Sequence, residues 1–149
     1  MIRISSDPID AASVIESVKS DSVGGIDVFI GTTRNQSRGR PVVKLEYEAY
    51  IPMATTCLDD IVREARRRWN LQAASIVHRV GVVAVGEASV VIAVSSAHRD
   101  EAFQACRFLI DRLKEVVPIW KREYFADGTA EWSRQTHEQS PATAPTQRD

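Results

Sequence analysis

The stretch Ala88-Ser89-Val90-Val91-Ile92-Ala93-Val94, continuing through Ser95-Ser96-Ala97-His98-Arg99-Asp100 to Pro118, settles the architecture of this chain. The run from Val90 to Val94 has no polar face, which predicts a strand buried on both sides at the centre of a sheet. Ala102, Phe103, Ala105, Cys106, Leu109, Ile110 and Leu113 then recur at helical spacing. A broadly apolar helix follows the strand and must lie across the sheet. Pro118 stops it, because proline has no N–H and disfavours helical geometry in the residue before it.

Working outward toward the N-terminus, residues 75–80 read as another strand. From about Pro52, the stripe Met53, Cys57, Leu58, Ile61, Val62, Ala65 and Trp69 predicts an amphipathic helix. Its other side carries Arg63, Glu64, Arg66, Arg67 and Arg68, a solvated face without the aromatic interleaving of a nucleic-acid module. Val43, Leu45, Tyr47 and Ala49 alternate with Lys44, Glu46 and Glu48, the period of a strand. Ile26, Val28 and Ile30 alternate with Asp27, Phe29 and Gly31 and predict a second strand with one buried face. These two strands are expected to pair across residues 32–41, a polar, arginine-bearing segment that reads as a mobile loop. Near the N-terminus, Asp7 and Pro8 are expected to start a short helix through Ala11, Val14, Ile15 and Val18.

Beyond Pro118, residues 119–125 look extended, Asp127-Gly128 marks a tight turn, and residues 129–132 return as a hairpin partner. Residues 133–149 contain no large aliphatic side chain and two prolines, the composition of a disordered tail. The expectation is one domain over 1–132 and a polar tail over 133–149. The mix of strands and helices without strict alternation predicts an α+β fold, with helices packed on a mostly antiparallel sheet.

Composition narrows function. The chain has 149 residues, 44% of them apolar and 26% charged, with 19 basic and 20 acidic side chains and a formal charge of −1. That balance gives no warrant for nucleic acid or membrane binding. No apolar run approaches the roughly 18 residues of a membrane span, and the first ten residues lack a signal-peptide layout, so the expected location is cytoplasmic. Cys57 and Cys106 have no CxxC spacing and sit in apolar helical stripes, which argues for core thiols rather than a disulfide or a metal site. No GxSxG, HExxH or phosphate-cradling glycine loop occurs.

The candidate chemistry is cationic. His98 and Arg99 sit at the junction of a buried strand and a helix N-terminus, a place that suits an anion and equally a simple cap and surface ion pair. Lys114 falls in the last turn of the same helix, where lysine ordinarily complements the dipole. Ile119-Trp120-Lys121-Arg122-Glu123 flanks two cations with bulky apolar groups, either at the edge of a core or on a protected edge strand. Arg34, Arg38 and Arg40 form a third cluster. Convergence at one sheet end would bring at least five cations into one cleft.

His78-Arg79-Val80-Gly81, Ser96-Ala97-His98-Arg99 and Pro118-Ile119-Trp120-Lys121-Arg122-Glu123 together carry a resemblance, with Lys114 upstream and Gly31-Thr32-Thr33-Arg34-Asn35 near the start. In this order and approximate spacing, over about residues 24–132, the chain resembles the large, catalytic subunit of molybdopterin synthase. The resemblance implies an α/β-hammerhead fold and a homodimer of large subunits within a heterotetramer. The resemblance further implies a small ubiquitin-like sulfur-carrier subunit at each end. It also implies a sulfurtransferase: the carrier's C-terminal thiocarboxylate donates sulfur to precursor Z, cyclic pyranopterin monophosphate, and two transfers build the dithiolene of molybdopterin. No cofactor and no metal is implied.

On the family's pattern Lys114 and Lys121 are catalytic, and Thr32, Thr33, Arg34, His98, Arg99, Lys114, Lys121, Arg122 and Glu123 bind substrate. Thr32 stands where the family commonly has lysine. A rival expectation is a non-catalytic dimeric scaffold that captures the tail of a ubiquitin-like protein. An RNA-binding domain is disfavoured by the charge balance.

Overall fold

The computed structural model describes residues 1–134. Along the chain the elements are β1 (Ile2–Ser5), α1 (Ala11–Glu16), β2 (Gly25–Thr32), β3 (Gln36–Ser37), β4 (Arg40–Ala49), α2 (Ile51–Arg68), β5 (Leu71–Arg79), β6 (Gly81–Ala84), β7 (Ala88–Ser96), α3 (Arg99–Val116), β8 (Ile119–Phe125) and β9 (Ala130–Arg134). β9 carries the hairpin two residues past 132. The rest of the expected tail lies outside the described residues.

The first sheet has the order β1-β5-β7-β2. β7 is an interior strand, antiparallel to β5 and β2, while β1 joins β5 in parallel. Its apolar run is buried on both faces as expected, because helices cover both. Val90, Ile92 and Val94 meet α2 and α3 in the main core through Leu58, Ile61, Leu109 and Leu113. Val91 and Ala93 meet α1 in a smaller core with Val14, Val18 and Val77. Truncating a side chain as buried as Leu109 to alanine costs about 2–5 kcal/mol, so this contact holds α3 on the sheet.

The second sheet has the order β3-β4-β8-β9, with β6 also on β4. It packs its Tyr47, Val83 and Ile119 side into the same main core. The whole is the α+β arrangement expected, with helices on mostly antiparallel sheets. No helix among the described residues is long and apolar enough to cross a membrane.

Several local expectations change. β2 and β4 do not pair: β2 is an edge strand on β7, and β4 pairs with β8 in the other sheet. The segment between them is an ordered hairpin rather than a mobile loop. β3 folds back on β4 through Arg38 and Gly39, whose φ values of 51° and 75° suit the twist of a tight hairpin. Ile26 and Ile30 are exposed, because the six residues of α1 are too short to cover β2, and Phe29 turns to the main core instead. Met53 is exposed and Ala54 takes its place in the buried stripe of α2. The first helix starts three residues late, since the Asp10 carboxylate, not Asp7, accepts the N–H groups of Ala12 and Ser13. β6 had no distinct sequence signal of its own.

Candidate active site

A cavity of about 170 Å3 opens where the two sheets meet. Phe29, Gly31 and Thr32 of β2 form one wall, with Arg34 just beyond; Leu45 and Tyr47 of β4, Lys121 and Glu123 of β8 and Lys114 of α3 form the others. Strand alternation selects the β8 residues: Lys121 lies opposite Tyr47 and Glu123 opposite Leu45 in the β4 ladder, so both face inward. Lys114 arrives from the last turn of α3, where the helix's partial negative end favours a cation.

Among the described residues, Arg34, Lys114 and Lys121 supply three positive charges to the lining and Glu123 one negative charge. The Lys121 ammonium lies 3.7 Å from the Glu123 carboxylate, with the two side chains 12% and 9% exposed. The lining is therefore net positive, with the Lys121–Glu123 pair largely shielded from water and Arg34 exposed at the mouth. At about 4 Å two unit charges interact by roughly 4 kcal/mol at an effective dielectric near 20, so such a cavity suits small anions.

Three predicted residues stand elsewhere in the chain, and a fourth contributes through its backbone. Arg122 turns to the opposite face of β8, where its guanidinium stacks on Tyr124 at 4.9 Å and on Trp132 at 5.7 Å. His98 and Arg99 flank a separate depression with Gly24, Ala97 and Asp100 at the N-terminus of α3. Gly24 allows that close passage: a Cβ there would lie 2.1 Å from the Ala97 carbonyl oxygen. The first turn of α3 already carries Asp100 and Glu101. Arg99 and Lys114 are 15 residues apart on one helix, about 22 Å at 1.5 Å per residue, so both cannot reach one small molecule within a single chain. Thr33 is 3% exposed and does not line the cavity, but it anchors Arg34: its N–H donates to the Glu87 carbonyl and its own carbonyl accepts from the Gly86 N–H.

Tyr47, Phe29, Gln36, Ser37 and Ser89 also line the cavity and were not picked out from sequence. Tyr47 was on the face expected to be buried, but nothing local distinguishes a core tyrosine from one walling a cavity. The thiols keep apart from these cations. Cys106 lines a different groove between β2 and α3, and burial, reinforced by the Asp27 carboxylate, pushes its thiol up to about 12. No grouping of three or more His, Cys, Asp and Glu suited to a metal ion occurs among the described residues.

The MoaE protein family model matches residues 4–116. A molybdopterin synthase catalytic subunit from Arabidopsis thaliana is 48% identical over 120 residues, 80% of this chain and 61% of the relative. The chain thus spans about three-fifths of that plant protein. A relative of the same name from Bacillus subtilis is 46% identical over 126 residues, 85% of this chain and 80% of the relative. The solved molybdopterin synthase from Staphylococcus aureus superposes with a TM-score of 0.83 at 40% identity, covering 87% of this chain and 94% of that one. A Helicobacter pylori chain, solved in a protein–protein complex of subunits 1 and 2 of molybdopterin-converting factor, shares the fold with a TM-score of 0.74 at 18% identity. With a family match over most of its length and relatives at this level of identity, the chain belongs to the MoaE family, the family of molybdopterin synthase catalytic subunits.

Proposed function

We propose that the chain is a molybdopterin synthase catalytic subunit that moves sulfur from the C-terminal thiocarboxylate of a small ubiquitin-like carrier to precursor Z. The observation that carries this reading is the joint presence of Arg34, Lys114 and Lys121 around one recessed cavity. A thiocarboxylate and a phosphate ester repel each other, and fixed positive charge between them lowers the cost of bringing them together.

In the proposed chemistry the carrier's thiocarboxylate sulfur attacks an oxygen-bearing side-chain carbon of the pyranopterin. The C–S bond forms as the C–O bond at that carbon breaks and the oxygen substituent leaves with the electron pair, giving a thioester-like intermediate. Water then adds to the carrier's carbonyl carbon. The C–S bond to the carrier breaks, the carrier leaves as a carboxylate, and sulfur stays on the pterin. Lys114 and Lys121 stabilise the oxyanion that forms as water adds and that collapses when that C–S bond breaks, a role in which loss of one donor typically costs about 100- to 1000-fold in kcat. Arg34 holds an anionic group, Thr32 offers a hydroxyl, and Glu123 offers carboxylate oxygens to the N–H donors of the pterin ring. Sulfur arrives on the partner, so the reaction needs no cysteine of this chain.

His98 and Arg99 enter this reading through a second copy. A homodimer in which the α3 N-terminus of one protomer approaches the cavity of the other would place His98 and Arg99 on the substrate phosphate, a geometry one chain does not reach by itself. With a carrier at each end, the assembly is a heterotetramer. Incubation of the protein with thiocarboxylated carrier and precursor Z tests the whole reading: dithiolene product is expected. Tight carrier binding with no turnover would instead leave a scaffold.

A further inference from the structure

The run His78-Arg79-Val80-Gly81 carries part of the family resemblance, yet neither His78 nor Arg79 lines the cavity. Arg79 ends β5 with its side chain 13% exposed and pairs through Nη1 with the Glu87 carboxylate. Its Nε is buried without a hydrogen-bond partner, so the pairing with Glu87 is the charge contact that defines where this guanidinium lies.

Glu87 belongs to the turn between β6 and β7, which closes with its N–H donating to the Ala84 carbonyl at 3.0 Å. The same turn holds Thr33 by both backbone groups. The Thr33 N–H donates to the Glu87 carbonyl at 3.0 Å, and the Gly86 N–H donates to the Thr33 carbonyl at 2.9 Å. One residue past Arg34, the Asn35 carbonyl accepts the Val42 N–H at 2.9 Å. Arg34 is therefore clamped on both sides in a segment whose polar composition alone would leave it mobile.

We propose that the Arg79–Glu87 ion pair is a positioning device for Arg34: it locks the β6–β7 turn onto Thr33 and so fixes where the Arg34 guanidinium enters the cavity. This rests on the reading of Arg34 as a substrate-binding cation. The physical gain is preorganisation. A loop arginine that must order itself around an anion loses backbone and side-chain freedom on binding, and a loop ordered in advance has met that entropy on folding. An ion pair between two fully exposed side chains contributes little, but the mostly buried Arg79 gives this one a defined geometry.

The test is a double-mutant cycle in steady-state kinetics of the full chain with its carrier, using Arg34→Ala, Glu87→Gln and their combination. Glu87→Gln is expected to lower kcat/KM by about tenfold, mainly through KM for precursor Z, as expected for a misplaced binding group. In the Arg34→Ala background the same change is expected to have no further effect, because the group it positions is gone. A merely structural role would weaken both backgrounds alike, and such additivity overturns the proposal. So does wild-type kinetics for Glu87→Gln while Arg34→Ala is impaired. Wild-type kinetics for Arg34→Ala would remove the reading of Arg34 itself, and the proposal with it. Should Glu87→Gln fold poorly, the swapped variant Arg79→Glu with Glu87→Arg restores the pair and is expected to recover KM relative to Arg79→Glu alone. A folded swap with no recovery counts against the pair.

Discussion

Lys121 and Glu123 enter one cavity from alternate positions of β8, ammonium 3.7 Å from carboxylate, and neither side chain is more than 12% exposed. A pair this shielded does more than a surface salt bridge. It tethers a cation that would otherwise sample several rotamers, and it keeps an acceptor within a lining dominated by positive charge.

Replacing either cavity lysine tests the proposed oxyanion role. Lys114→Ala and Lys121→Ala are each expected to reduce dithiolene formation by about 100- to 1000-fold. Circular dichroism should stay native, because neither side chain is part of the apolar core. Product assays at saturating carrier give the answer, and near-normal turnover in both variants would discard the assignment.

Glu123→Gln separates two roles of the carboxylate. If it accepts pterin N–H groups, KM for precursor Z rises by about tenfold, the scale of a lost charge-assisted hydrogen bond. Removing the counter-charge of Lys121 should also lower Tm by several degrees, seen by thermal unfolding. A fall in KM would show that Glu123 acts only as a counterion.

The proposed homodimer with sites shared between protomers predicts complementation. Arg99→Ala and Lys121→Ala homodimers are each expected to be inactive. Mixed and allowed to exchange subunits, they should regain about a quarter of wild-type activity, because half the dimers become mixed and each of those holds one intact site. No recovery under demonstrated exchange would place Arg99 outside the catalytic assembly.

The thiols are expected to be dispensable. Cys57→Ser and Cys106→Ser should retain turnover, and a folded but inactive double variant would revive a persulfide mechanism. With its thiol pushed up to about 12, Cys106 has a thiolate fraction of only about 10⁻⁴ at pH 8. Iodoacetamide labelling followed by mass spectrometry should therefore mark the half-buried Cys57 first.

The β8–β9 turn should loosen in acid. Hydrogen bonds from the Thr129 hydroxyl and N–H, with help from Arg40, hold the Asp127 carboxyl below its ordinary value. A carboxyl lowered on folding contributes stability that is present above its unfolded pKa of about 3.9 and is lost as pH falls through the folded value. The protection factor of the Thr129 amide, the intrinsic exchange rate over the observed rate at the same pH, should hold above about pH 4 and fall as pH drops below the unfolded value toward the lower folded one. Arg40 also stacks on Phe125, with its guanidinium carbon 3.6 Å from the ring centroid, so Asp127→Asn should relax the turn without detaching Arg40. Complete loss of the β9 strand in Asp127→Asn would contradict this.

Short-range chemistry made much of this protein readable from its residues alone. The unbroken apolar run of β7, the helical stripes of α2 and α3, the stop at Pro118 and the Asp127-Gly128 hairpin each follow from neighbours within one or two turns, and the order of motifs was enough to suggest the family. What residue spacing could not convey was which strands pair and which side chains face one another. Whether β2 meets β4 or β7 depends on the competition among distant strands to cover the core, and the hairpin at Arg38-Gly39 sends β4 into a different sheet. Only that long-range pairing brings Arg34, Lys114 and Lys121 together and turns Arg122 away, because the face a strand residue presents is set by register with partners far along the chain. The separation of His98 and Arg99 from the cavity has an equally simple origin: a rigid helix of 18 residues holds its two ends apart.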